Sequence, residues 1–175
     1  ATVTPTNQTI CSGSITPIVL SSNYAGTTYS WTRNNTASVT GIAPSGTGTI
    51  SGTLFNTTTT PVTVTFTIIP TFNGCDGAPI TATVLVNAVP TIICPANIVA
   101  NNTTGVCGTT VNYNTTVTGA PAPTLTYTLS GATTGSGNGN GSGSFFNVGT
   151  TTVTVTATNI CGAASCSFTV SVNDI

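Results

Sequence analysis

Residues 143–172 read GSFFNVGTTTVTVTATNICGAASCSFTVSV, and two runs in this stretch alternate with period two. In the first, Val153, Val155 and Ala157 fall on one side and threonines on the other. In the second, Cys166, Phe168, Val170 and Val172 alternate with Ser and Thr. Successive side chains of a strand point to opposite faces, so each run buries one face. The short Gly-containing connection between them makes the pair a β-hairpin. Cys161 and Cys166 stand at that connection and offer a covalent tie to the rest of the domain.

The rest of the chain has the same chemistry. Its 175 residues include one Arg, two Asp and no Lys, His or Glu, with 38% hydrophobic residues. Disorder is favoured by low hydrophobicity with high charge, the opposite of this composition. Thr with Val and Ile suits a pleated surface, and no window sustains a 3.6-residue period, so the class is all-β. No apolar run approaches the ~18 residues that span a bilayer, so membrane insertion is not expected. A net charge of −1 presents no basic patch to nucleic acid or anionic lipid. It also leaves little repulsion between copies, which favours neighbouring copies or modules as partners. The first residue is Ala, with no basic segment leading into an apolar one, which reads as a processed or excised segment.

The first half reads as strands over residues 15–20, 27–32, 49–55, 61–69 and 80–87, separated by turn-rich segments. Residues 87–90, NAVP, break the pattern, and the proline there is expected to stiffen a linker. The boundary falls near Val89, giving domains of residues 1–89 and 90–175. Strands at this spacing fit two sandwiches better than one barrel. The tract of residues 132–144, ATTGSGNGNGSGS, has few side chains to bury and is expected to be a loop.

Six cysteines without histidine fit disulfides in an oxidising compartment better than zinc, because paired short spacings are missing. Cys11 and Cys75 are the only two in the first half and are expected to bond. In the second half Cys94 can pair with Cys161 or Cys166, leaving Cys107 the other. The local alternative, Cys94 with Cys107 and Cys161 with Cys166, also stands.

CPANI at residues 94–98, FNVGTTTVTVTATN at 146–159 and SCSFTVSVND at 165–174 resemble the hyalin repeat (HYR) family. TICSG at 9–13, TTYSWT at 27–32 and PVTVTFTIIP at 61–70, followed by NGC and TVLVN, resemble the PKD-like modules of Bacteroidota-type surface proteins. The resemblance implies two tandem immunoglobulin-like β-sandwich domains, secreted or displayed at a cell surface, with a spacer, adhesive or fibre-building role. Hyalin repeats commonly carry Asp where this chain has Asn97 and Asn159, so no calcium or other metal is expected.

General acid–base and nucleophilic catalysis lack their residues: there is no His, Lys or Glu, and the two Asp are far apart in sequence. No enzyme activity and no cofactor are expected. The leading reading is a structural or adhesive two-module segment of a surface fibre, stalk or filament. In its sharper form the alternating strand Ala1, Thr2, Val3, Thr4 completes a neighbour's sheet edge; the plainer form pairs that strand within its own domain. The alternative is a carbohydrate-binding module that stacks surface glycans on Tyr24, Tyr29, Trp31 or Tyr127. For Trp31 itself the favoured reading is a core anchor packed against the facing sheet.

Overall fold

Alternation of Thr with Val and Ile becomes strand throughout, and the chain contains no helix. The computed structural model describes residues 1–175, and these fall into two units, Ala1–Val89 and Pro90–Ile175.

In the first unit the strands are β1 (Thr2–Thr4), β2 (Asn7–Cys11), β3 (Ser14–Ile15), β4 (Val19–Ser21), β5 (Thr28–Arg33) and β6 (Val39–Thr40). They continue as β7 (Ser45–Thr47), β8 (Thr53–Asn56), β9 (Val62–Phe72), β10 (Cys75–Asp76) and β11 (Ile80–Ile93), the last running on past Val89. One sheet has the order β2-β11-β9-β5-β7. Only β2 in it is parallel to its neighbour, with Asn7 opposite Thr83 and Cys11 opposite Asn87. The facing layer comprises β1-β4 and β3-β8-β6, joined by the bridge Ile18 to Ile50. Alternation in β9 and β11 sends Val64, Phe66, Ile68, Val84 and Val86 inward, where they meet Ile18, Val39, Ile50 and Leu54 in one core.

The second unit contains β12 (Ile98–Asn101), β13 (Gly108–Val111), β14 (Thr116–Ala120) and β15 (Thr124–Gly131). It ends with β16 (Gly135–Asn138), β17 (Ser144–Asn147), β18 (Gly149–Asn159) and β19 (Gly162–Asn173). The hairpin read from sequence is β18-β19, in register from Gly149 opposite Val172 to Asn159 opposite Gly162. Its sheet has the order β12-β19-β18-β15-β16, again with the early strand parallel to the last. β13-β17 supplies the facing layer, and β14 pairs the end of β11, where the Thr91 and Thr118 hydroxyls are 2.6 Å apart. Val111, Leu129, Phe146, Val153, Val155, Phe168 and Val170 form the core. On the outer face Thr154 and Thr156 of β18 share hydrogen bonds with Ser167 and Ser165 of β19 at 2.9 Å. Both units are immunoglobulin-like sandwiches.

Two expectations are corrected. Residues 87–90 do not leave the strand, because β11 continues through Pro90 to Ile93; a proline is accommodated where no ladder partner needs its missing N–H. The Gly/Ser tract is not all loop, since Gly135–Asn138 forms edge strand β16 against β15. One glycine of that strand is required: Gly137 lies opposite Tyr127, and a side chain on it would meet the tyrosine ring at 2.9 Å. The ring covers the bare backbone that made the tract look unstructured.

Candidate functional site

Four of the six cysteines, Cys11, Cys94, Cys161 and Cys166, are disulfide-bonded, and two are free thiols. Cys94 and Cys166 are disulfide-bonded, with Cα atoms 5.7 Å apart. Sheet register explains the choice: β12 and β19 align Ile98 with Val170, and four residues back on each strand brings Cys94 beside Cys166. Cys75 and Cys107 are free and exposed, which corrects the expected Cys11–Cys75 bond and the pairing of Cys107. Cys11 lies opposite Asn87, whereas Cys75 precedes Ile80 at the other end of the same strand. At about 3.3 Å per residue their separation exceeds roughly 20 Å, and a disulfide needs Cα atoms within about 7 Å. The Cys107 carbonyl accepts the Val148 N–H, at the Gly149 end of the hairpin. Cys166 lies opposite Val155, six residues along β18, and Cys161 lies in the turn beyond Asn159, so neither is within reach.

Most of the aromatic residues named for glycan stacking face inward. Trp31 is 8% exposed and packs edge-on against Phe66, with ring centroids 5.9 Å apart. Tyr29 packs against the first core and Tyr127 against the second. Tyr24 is the exception: it is 65% exposed and lies over Phe72, ring centroids 5.2 Å apart and tilted by 31°. Its loop is held by the Ser22 hydroxyl, which accepts the Tyr24 N–H, and by the Thr27 hydroxyl, which donates to the Tyr24 carbonyl. The two rings line an open depression of about 310 Å³ with Ala1, Cys75 and Asp76. Asp76 accepts a hydrogen bond from the Thr71 hydroxyl at 2.6 Å. Phe72 was not singled out from sequence; the signal was an aromatic residue directly before an Asn-Gly turn.

The N-terminal residues sit in their own unit. Thr2, Val3 and Thr4 lie opposite Ser21, Leu20 and Val19, and Val3 is buried in the first core. Ala1 is exposed at the rim of the Tyr24 depression.

The remaining polar groups serve the framework. Arg33, the chain's only cationic side chain, is buried and donates to the carbonyls of Ile42, Ala43 and Val39. Burial lowers its pKa from the ordinary arginine value. Asn97 Oδ1 accepts the Thr169 N–H. Asn159 Oδ1 accepts the Cys161 N–H while its Nδ2 donates to the Pro121 carbonyl, which a carboxylate could not do. Tyr113 donates to the Asn140 carbonyl, and burial with the neighbouring Tyr127 pushes its pKa up to about 12.

Comparison with known proteins agrees with this architecture. The fold defines a tandem of two immunoglobulin-like modules. Residues 2–90 match the PKD-like domain and residues 87–172 the HYR domain, so the chain belongs to the PKD-like family in its first unit and to the HYR family in its second. No curated protein matches the sequence. Among solved structures, DIP-gamma Ig1+Ig2 is similar in fold, with a TM-score of 0.58 and 15% identity, over 95% of this chain and 93% of that one. The I67–I69 fragment of the titin I-band has a TM-score of 0.50 and 13% identity, over 96% of this chain and 62% of the fragment. The N-terminal eight Ig domains of Down Syndrome Cell Adhesion Molecule give 0.50 and 15%, over 93% of this chain and 23% of that chain. Tandem modules of these kinds are typical of adhesive extracellular proteins and are usually non-catalytic. No helix is long and apolar enough to cross a membrane.

Proposed function

We propose that this chain is a non-enzymatic, extracellular building segment of a cell-surface fibre, stalk or filament, whose partners are neighbouring copies or modules of the same kind. One observation carries the reading: each free thiol shares an open depression with exposed apolar side chains, Cys75 with Tyr24 and Phe72 and Cys107 with Val106 and Ile175. The outer face of the β18-β19 hairpin carries paired hydroxyls instead, as between Thr154 and Ser167. Strand complementation is a compatible mode of assembly. The strand that would be exchanged is Thr2–Thr4, and between copies it would keep the pairing with Val19–Ser21 that it makes within one. Sedimentation of the purified chain across concentration, with electron microscopy of the same samples, tests the proposal. Concentration-dependent oligomers and filaments are expected, and a monomer at every concentration would refute it.

Tyr24 and Phe72 support a second reading as a carbohydrate-binding surface. Two neighbouring rings beside the Asp76 carboxylate present apolar area and a hydrogen-bond acceptor together, a combination that suits a sugar ring. A glycan array separates the readings: specific binding that is lost in Tyr24→Ala supports this one, and a flat array removes it.

A further inference from the structure

Two thiols remain free in a chain whose other four cysteines are disulfide-bonded, and they belong to different units. Cys75, in β10, lines the depression of about 310 Å³ shared with Tyr24, Phe72 and Asp76. Cys107, just before β13, lines another of about 410 Å³ with Val106, Val148, Asp174 and Ile175. We propose that Cys75 of one copy and Cys107 of a second copy form a disulfide that closes a joint between these two surfaces. This deepens the fibre reading and rests on it.

Neither thiol alone designates a partner; the two together do. The Cys94–Cys166 bond marks the chain as one that matures under oxidising conditions, where a leftover exposed thiol pairs between molecules. Each thiol shares its depression with exposed apolar side chains: Tyr24 is 65% and Phe72 37% exposed on one surface, Val106 42% and Ile175 74% on the other. Joining them removes apolar area from water on both sides. The surfaces are unlike, so the contact is heterologous and leaves one free surface at each end, which allows growth beyond a dimer.

Charge explains why a covalent closure is useful. Asp76 and Asp174 are the chain's only side-chain carboxylates, and one lines each depression. Asp76 is held by the Thr71 hydroxyl and Asp174 by the Asn102 amide, each at 2.6 Å. The joint brings two like charges near each other, which opposes the apolar attraction at low salt and is screened at high salt.

The oxidant is a low-molecular-weight disulfide. The Cys75 thiolate attacks one of its sulfurs, forming a mixed disulfide and releasing the first small thiol. The Cys107 thiolate of the next copy then attacks the Cys75 sulfur and releases the second. One Cys75–Cys107 bond forms, the small disulfide is reduced by two electrons, and the two protons from the cysteines end on the released thiols.

The test treats the whole chain with oxidised glutathione and separates the products without reductant. A ladder of oligomers that reductant collapses is expected, with faster build-up as salt rises. Cys75→Ser and Cys107→Ser should each abolish the ladder and allow no more than a dimer. Mixing these two variants should give the mixed dimer well above its random-pairing share, with a Cys75–Cys107 peptide found after thermolysin digestion. A wild-type chain that stays monomeric, symmetric dimers as abundant as the mixed one, or oligomers dispersed by a chelator rather than by reductant would overturn the proposal. Sedimentation of the Cys75→Ser/Cys107→Ser double variant separates this failure from that of the fibre reading. If the wild type does not cross-link but the double variant still associates with concentration, only the covalent joint falls. If neither associates, both fall.

Discussion

Trp31 of β5 lies directly opposite Gly46 of β7, and its indole ring occupies the space that a side chain at position 46 would need. The second unit repeats the relationship with Tyr127 of β15 and Gly137 of β16. In each sandwich an aromatic residue is covered by the bare backbone of an edge strand. Gly46→Val should push the Trp31 ring from its place against Phe66 and cost about 1–3 kcal/mol, the usual penalty of overpacking. Urea denaturation followed by Trp31 fluorescence measures this, and Gly137→Val should behave similarly in the second unit.

The Cys94–Cys166 cystine and the free thiols should differ sharply in their effect on stability. Cys94→Ser/Cys166→Ser opens a bond that spans 72 residues and should cost about 4 kcal/mol in the chain-entropy account. Cys75→Ser and Cys107→Ser alter exposed side chains and should stay within about 0.5 kcal/mol. Denaturant midpoints under oxidising conditions make the comparison.

Arg33 should be essential to its unit despite having no acidic partner. Its guanidinium satisfies the carbonyls of Val39, Ile42 and Ala43. Arg33→Met keeps much of the stem but leaves buried acceptors unpaired, at roughly 1–3 kcal/mol each. Thermal unfolding should register a marked loss; an unchanged midpoint would mean that water replaces the guanidinium.

Stability should respond to alkali rather than to neutral pH. No histidine is present to titrate near neutrality. Tyr113 is held neutral to about pH 12 in the fold, whereas an unfolded tyrosine ionises near 10. Above about pH 10 the unfolded chain therefore binds fewer protons than the folded one, and stability falls as pH rises. The contribution of Tyr113 is fully present below about pH 10 and is lost as pH passes through 12. Tyr113→Phe should flatten this alkaline loss in pH-dependent melting.

The hairpin over residues 143–172 could be read from sequence because its alternation carries the burial pattern directly: Val153, Val155 and Phe168 are core residues. Strand β16 could not, because Gly137 gains a partner only when the Tyr127 ring packs against it. The failure at Cys11 and Cys75 has a similar origin. Counting cysteines by domain ignores the register of β2 on β11, which sets these two at opposite ends of one sheet. Trp31 and Tyr24 are both candidate stacking rings in the sequence, with the core the favoured place for Trp31. The period-2 pattern of β5 settles Trp31 inward, while Tyr24 lies in a loop where no period applies and is placed by the Ser22 and Thr27 hydroxyls and by its packing on Phe72.

The central claim is that this tandem builds structure by meeting copies of itself. Electron microscopy and sedimentation of the purified, oxidised chain over a wide concentration range test it most directly. The account predicts oligomers that lengthen with concentration, grow under a small disulfide oxidant and shorten when Cys75 or Cys107 is replaced. A chain that remains monomeric under all these conditions while binding a specific glycan through Tyr24 and Phe72 would contradict it.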